Sequence, residues 1–493
     1  MRAVLRRAGA DLVIVFAATI AVTFLLIRER QIAGPSGFPL DDAWIHLHFA
    51  RNLAEGAGFA YNPGVAVSGS TAPLWTLLLA AGALVMGPTV ALSKALGIVG
   101  TVAAGLFTRR AAAAWGAPEP LALAAGVALV ASGALAWGAL SGMEVSLAAA
   151  LVAGALLAHA RGATLASAIL VSLATLARPE AILLVPALLF ARPVHGGRLL
   201  VFVVVPALAL APYIAFSLAT VGSPLPATAA AKVEGGLIGW LSGMPAPARV
   251  TFVERPWTFA VEWMRWLQST HWLLPGALLP ALLAVWWRHG RALGVPALTL
   301  LAHPVGMALI APYRGPGFQE GRYSMHLLPL ALVTLAAAVP PSRLRPARLV
   351  AVIYLALAVP ALIPAGTRYG WAVQNINAMQ VDIGRWIDRE LPRTARLAVN
   401  DIGAIAYLSR REIIDLMGLV TPAIIPYRRD GEAGVIRYVV ETCPDHLVIF
   451  PQWFPMLAAR NDLLEPRYRV RLPHNEVAGA DEMVVYRLKR CAV

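Results

Sequence analysis

Apolar residues in this chain do not recur with the spacing of a soluble fold; they come in long runs broken by short turns rich in arginine, glycine or proline. The first run, Leu12 to Ile27, follows a basic start and no small-residue cleavage site comes after it, which predicts an uncleaved first span. Further apolar segments lie near 73–87, 91–108, 119–137, 144–160, 163–177, 180–191, 199–220, 272–288, 292–311, 325–340 and 347–366. Several fall short of the ~20 residues that cross hydrocarbon upright, so tilted or broken helices are expected among them.

Arginine sets the orientation. Arg2, Arg6 and Arg7 place the N-terminus in the cytoplasm, and the turns "FARPVHGGR", "WWRHGR" and "PSRLRPAR" read as cytoplasmic loops. A first loop over 28–72, a long loop over 222–271, the turn near 313–323 and the tail then face outside. An even number of spans would return the tail to the cytoplasm. The pattern therefore predicts about eleven spans, with one segment between 73 and 137 not crossing fully.

The character of the chain changes at residue 367. Short β-type pieces, "RLAVN", "REIIDL", "HLVIF" and "DEMVVYRL", alternate with helical ones such as "MQVDIGRWIDREL". The expected architecture is mainly α: a multi-span transmembrane domain over 1–366 and a soluble, extracytoplasmic α/β domain over 367–493. No glycine-rich phosphate loop points to a nucleotide in the tail.

Composition agrees. The chain is 58% hydrophobic and 14% charged, with a mean hydropathy of +0.67, values no water-soluble domain of 493 residues could hide in a core. The net charge of +14 comes from arginines clustered between apolar runs, a topology signal rather than a nucleic-acid surface. Two cysteines, Cys443 and Cys491, are too few for a disulfide framework but enough for one bridge in an oxidising compartment.

Candidate chemistry begins in the first outer loop, at "LDDAWIHLHFARNLAEG". From Asp41 the pattern reads as a short amphipathic helix at the outer interface, with Asp41 as its N-cap. Unpaired carboxylates beside a membrane are costly, so Asp42, His46, His48 and Arg51 are expected to form a polar site. Asp42 and His46 could also hold a divalent cation, although two ligands at helical spacing are weak evidence. Tyr61 and Trp75 can stack on a sugar or simply anchor the interface. Glu144, at a further outer turn, either approaches the same cavity or sits at a helix N-terminus for its dipole. Arg178 and Glu180 flank Pro179 between two apolar runs; a charge at mid-membrane costs ~2.5–3.5 kcal/mol, which predicts that they pair at a break facing the outer side. Lys232, Arg314 and Arg322 are the cations of the outer turns. Asp401 either joins the site that binds the substrate or simply caps the helix "IGAIAYL".

"LDDAWIHLHFARNLAEGAGFAYNPGVAVSGSTAPLWTLLLA" resembles the first outer loop and second helix of GT-C fold glycosyltransferases, which use lipid-phosphate sugar donors. The likeness continues through "LSGMEVSL", "LARPEAILLVPALL", "GSPLPATAAAKV", "GRYSMHLLPLAL" and "NDIGAIAYLSRREIIDLMGLVTP", and is nearest to the branch containing the terminal arabinofuranosyltransferases of the actinobacterial envelope. "GSTAPLW" and "LPATAAAK" lack an asparagine found in that pattern, which leaves the sugar open. The resemblance implies an inverting glycosyltransferase of the inner membrane, with its site on the outer face. It would move a sugar from a polyprenyl-phosphate donor to an envelope glycan, glycolipid or protein. Asp41 is where the resemblance places the general base; spacing alone does not separate it from Asp42. Cations on the leaving phosphate would come from Lys232, Arg314 and Arg322, the last beside Tyr323. A transporter or flippase of lipid-linked sugars, or a non-catalytic scaffold whose tail binds glycan, are the alternative readings; no inverted repeat supports the former.

Overall fold

The computed structural model describes residues 2–489, with side chains from residue 8; Arg2, Arg6, Arg7 and Cys491 lie outside the described side chains. Among the described residues five helices are long and apolar enough to cross a membrane: Ala8–Ile32, Val90–Ala114, Gly196–Val221, Arg291–Ile310 and the stretch Pro341–Glu390. Two bent pairs bring the number to seven if each is one span. Shorter apolar helices run over Pro73–Met86, Val145–Ala160, Thr164–Ala177 and Pro179–Phe190.

The chain divides into two compact units. Unit 1 comprises Met1–Ile27, Lys94–Pro212 and Val233–Gly366; unit 2 comprises Arg28–Ser93, Tyr213–Lys232 and Thr367–Val493.

Unit 1 is helical, and its breaks have local causes. The pair Glu119–Val130 and Gly133–Leu140 bends by 52° where Ser132 stops one helix and caps the next, its hydroxyl accepting the Leu135 N–H at 3.2 Å. Val250–Thr270 and Leu274–His289 meet at 105° because His271 leaves the helical region (φ −162°, ψ 122°) and Pro275 opens the following helix. Val145–Ala160 and Thr164–Ala177 form a hairpin through Gly162, whose φ of 74° a side chain would disfavour. Alanine and glycine along Val145–Ala160 let the two backbones approach closely, as apolar helices in lipid require. The stretch 222–271, expected as a loop, is mostly helical, with helices over Ala227–Lys232, Gly236–Leu241 and Arg255–Thr270.

Unit 2 is built on a five-stranded sheet of order β2-β1-β3-β5-β4: β1 Arg396–Val399, β2 Glu412–Asp415, β3 His446–Ile449, β4 Leu464–Arg471 and β5 Glu482–Leu488. β1 is parallel to β2 and β3, while β5 runs antiparallel to β3 and β4. The period of two puts Leu397, Val399, Val448 and Val485 on one face, and Ala398, Leu447, Ile449 and Val484 on the other. Each face has its own core. β4 is the polar edge, with Pro466 at a register shift and Arg467, Arg469 and Arg471 turned outward, which discourages pairing with another chain.

The Asp41–Ala54 helix belongs to the first of these cores. All its residues except Asp42, Leu53 and Ala54 are buried, because Pro73–Met86 and Gly403–Ser409 pack against it and Ile45 and Phe49 join the sheet core. The expected amphipathic helix at an interface is thus an internal one, apolar on more than one side. Cys443, at φ 42° after the Gly431–Thr442 helix, is disulfide-bonded.

Candidate active site

Chemistry in unit 2 gathers at the carboxyl ends of β1 and β2, where an open parallel sheet leaves loops free to meet a ligand. β1 runs into Asn400 and Asp401, and the helix Gly403–Ser409 starts two residues later. Asp401 does not cap that helix, in contrast to the capping alternative read from the sequence. Its N-cap is Ile402, which gives no side-chain bond, and the cap is supplied by Asp41. Asp41 accepts the Gly403 N–H on Oδ2 at 2.5 Å and the Ala404 N–H on Oδ1 at 2.7 Å. Nor does Asp41 cap its own helix, whose N-cap is Leu40. Gly403 permits the contact: a Cβ there would lie 2.1 Å from the Asp41 carbonyl oxygen.

Three carboxylates share this corner. Removal from water raises the Asp41 carboxyl well above its ordinary range and the charge of Asp401 adds to it, outweighing the two backbone bonds. Asp401 is pushed up to about 6, chiefly by burial. The bond from Gln380 Nε2 at 2.6 Å and the positive charge of Lys232 work against that rise, and Asp42 works with it. Asp42 is half-buried, as is Lys232 at the end of the Ala227–Lys232 helix. Asp415, at the end of β2, instead ties its own turn by accepting the N–H groups of Met417, Leu419 and Val420.

Other residues expected at the site hold it together. His48 Nε2 lies 2.8 Å from the Tyr61 carbonyl and its Nδ1 receives an Arg51 N–H at 3.0 Å, which fixes a neutral ring protonated on Nε2. Burial, then the charge of Arg51, lowers this imidazole to about 3. Arg51 also donates to the Tyr407 carbonyl at 2.6 Å and lies over the Tyr407 ring at 4.5 Å. The Tyr61 hydroxyl donates to the Ile402 carbonyl at 3.0 Å. Tyr61 and Trp75 are each 1% exposed, so neither presents a ring face on which a sugar could stack. His46 is buried, with Nδ1 3.4 Å from the Ser70 hydroxyl. Among the described residues no three His, Cys, Asp or Glu side chains gather as a metal site.

Unit 1 carries a separate charged cluster. Arg178 pairs with Glu144, both almost fully buried, and its Nε lies 3.3 Å from Glu180. Glu144 therefore joins the Arg178–Glu180 pair, and it makes no side-chain cap on its own helix. The Tyr323 ring lies under two guanidiniums, Arg178 at 4.7 Å and Arg322 at 5.0 Å, and its hydroxyl accepts from Arg322 at 3.0 Å. Arg322 is buried, whereas Arg314 is exposed and stacks 5.1 Å over Phe318. Two histidines missed in the sequence complete the cluster: His303 Nε2 lies 3.0 Å from the Ser324 hydroxyl, with the fully buried His326 ring 5.5 Å away. An ionisable group inside the apolar run 292–311 was the available signal for His303.

Residues 372–486 match the family described as "Domain of unknown function (DUF8728)". Among curated proteins no sequence matches the chain. Solved structures do. An oligosaccharyltransferase of Archaeoglobus fulgidus in its apo form is similar with a TM-score of 0.61 at 13% identity, over 94% of this chain and 73% of that one. The same organism's AglB, solved with an inhibitory peptide and a dolichol-phosphate, gives 0.60 at 11%, over 99% and 77%. ArnT of Cupriavidus metallidurans, solved with undecaprenyl phosphate, gives 0.61 at 13%, over 96% and 97%. The chain thus has the GT-C fold, with several apolar spans and a small sheet in its C-terminal region.

Proposed function

We propose that this chain is a membrane glycosyltransferase that moves a sugar from a polyprenyl-phosphate carrier to an envelope glycan, glycolipid or protein on the outer face of the cytoplasmic membrane. The observation that carries the reading is a GT-C fold in which Asp41, Asp42 and Asp401 converge at the end of β1. Two fold relatives were solved with polyprenyl phosphates, which supports the donor class. The bonded Cys443 supports an oxidising, outer compartment for the tail. Inversion and an arabinofuranosyl-type sugar belong to the same proposal, on the sequence resemblance.

In this reading the two adjacent aspartates have different work. Asp41 has each oxygen engaged by a backbone N–H and is almost fully buried, so it holds the tail against the first outer loop. Asp42 is the more exposed of the two and takes the general-base role. It removes the proton from the acceptor hydroxyl as that oxygen attacks the anomeric carbon from the face opposite the phosphate. The carbon–oxygen bond to the carrier breaks, and its electron pair leaves with polyprenyl phosphate. In this reading Lys232, whose charge reaches Asp401, meets that growing charge, a contact worth more in the transition state than in the bound donor.

The test is release of free polyprenyl phosphate from a panel of lipid-linked sugars with acceptor extracts. Asp42→Asn should lower release by ~10²-fold or more while its melting temperature stays that of the wild type. Wild-type turnover by Asp42→Asn refutes its role as base; tight binding without release by the wild-type protein across a broad panel refutes the enzyme.

A further inference from the structure

Within unit 1, two cavities on the helices Glu119–Val130, Leu274–His289, Leu328–Ala337 and Leu344–Ile376 form one groove. The first has a volume of about 280 Å³ and its lining is apolar apart from Tyr354; the second, of about 680 Å³, ends at Trp287, Arg288 and Arg343. They are continuous, since Val339, Ala347 and Val350 line both. From Leu274 to Arg288 the groove follows one helix for ~21 Å at 1.5 Å per residue, enough to cover one leaflet of a hydrocarbon core ~30 Å thick.

The ends differ in chemistry. No carboxylate lines either cavity, so the two guanidiniums form an uncompensated positive mouth on an apolar channel. Arg288 is exposed and is held by a bond from its Nε to the Ala337 carbonyl at 3.2 Å. Trp287 is 86% exposed beside it, the position of an indole at a headgroup boundary. A tail-length apolar slot closed by two arginines and an interfacial tryptophan complements an amphiphile with an anionic head and a chain one leaflet long.

We propose that this groove binds an anionic glycerophospholipid, one acyl chain lying in the slot and the headgroup phosphate on Arg288 and Arg343. The arginines belong to turns that the arginine bias assigns to the cytoplasmic side, whereas the proposed transfer takes place on the outer side. The lipid therefore supports the helices and is not the donor. Its binding stands or falls independently of the glycosyltransferase reading.

The test uses the full chain in detergent, delipidated and titrated with phosphatidylglycerol, phosphatidylethanolamine or undecaprenyl phosphate, read by melting temperature and by native mass spectrometry. Phosphatidylglycerol should stabilise the wild type and Arg348→Gln, an exposed arginine outside the groove, at equal lipid concentrations. Arg288→Gln with Arg343→Gln should need tenfold or more phosphatidylglycerol for the same shift, because both cations at the anionic headgroup are lost. Ala351→Trp, which fills the slot without changing charge, should weaken binding of the same lipid. Equal stabilisation by phosphatidylethanolamine, an undiminished response in both groove variants, or displacement of bound phosphatidylglycerol by undecaprenyl phosphate at lower concentration would each overturn the proposal.

Discussion

Asp401→Asn offers a direct measure of the electrostatics at the end of β1. In the folded chain Asp401 is raised from 3.8 to about 6, so between these values the native state holds a proton that the unfolded state has released. Stability must then fall as pH rises through that window. About two units at 1.36 kcal/mol each give roughly 3 kcal/mol in favour of the protonated form, an upper bound because the residue is partly exposed and the Asp41 carboxyl beside it responds to the same charge. Asparagine keeps an oxygen for Gln380 but carries no charge, so it should leave stability near pH 4 little changed and raise it progressively to pH 6 and above. The wild-type curve alone is not diagnostic. His48, lowered to about 3, has the opposite sign: its unfolded form binds the extra proton, so its contribution grows as pH rises towards 6.5. That term is common to both proteins and cancels in their difference. The assay is the melting temperature of wild type and Asp401→Asn in one detergent from pH 4 to pH 8. The gap should widen to a few degrees and level off above pH 6. Parallel curves across that range would refute the reasoning, since the raised carboxyl would then have no energetic counterpart.

Three further outcomes follow from the geometry. Glu144→Gln should destabilise by ~3–5 kcal/mol by leaving the buried Arg178 with reduced compensation, and Glu144→Leu combined with Arg178→Met should recover much of the loss in a denaturation series. Gly403→Ala sets a Cβ against Asp41 and should lower the melting temperature while pushing the first-loop helix off the tail, seen as faster hydrogen exchange over Asp41–Ala54. Arg322→Ala removes the bond to the Tyr323 hydroxyl and one of the two guanidiniums over that ring, and should lower the melting temperature, with Arg322→Lys recovering only part of the loss.

The fold was legible where burial imposed a pattern. "RLAVN", "REIIDL", "HLVIF" and "DEMVVYRL" each contain a strand because the sheet core needs runs of apolar or alternating residues. "LEPRYRVR" went unread for the opposite reason: as an edge strand with a proline and three outward arginines, β4 carries the features that discourage pairing. The helices within 222–271 were hidden by glycine and proline in "GGLIGWLSGMPAPARV", which mark their ends rather than their absence. The reading of Asp41–Ala54 as a helix buried on one side only failed because periodicity reports which faces are apolar and not how many neighbours arrive to cover the rest. Here Gly403–Ser409 from the tail and the helix Pro73–Met86 cover them.

The site was legible in composition but not in pairing. A local rule gave Asp401 the cap of the helix that follows it, and Asp41 the cap of its own helix. Folding replaced both by one contact across 362 residues, which no spacing rule can foresee. The doubling of the aspartate then acquires a physical reason. Consecutive positions on a helix point ~100° apart, so two adjacent carboxylates cannot serve the same direction. If Asp41 is turned to the N–H groups of Gly403 and Ala404, its neighbour is carried away from that cap while remaining close enough to raise both Asp41 and Asp401. A single aspartate could either fasten the tail to the loop or meet an acceptor hydroxyl. In the proposed mechanism the pair allows both, and ties the chemistry of the loop to the docking of the tail, because Asp41 fastens to Gly403 and Ala404 the helix on which Asp42 stands.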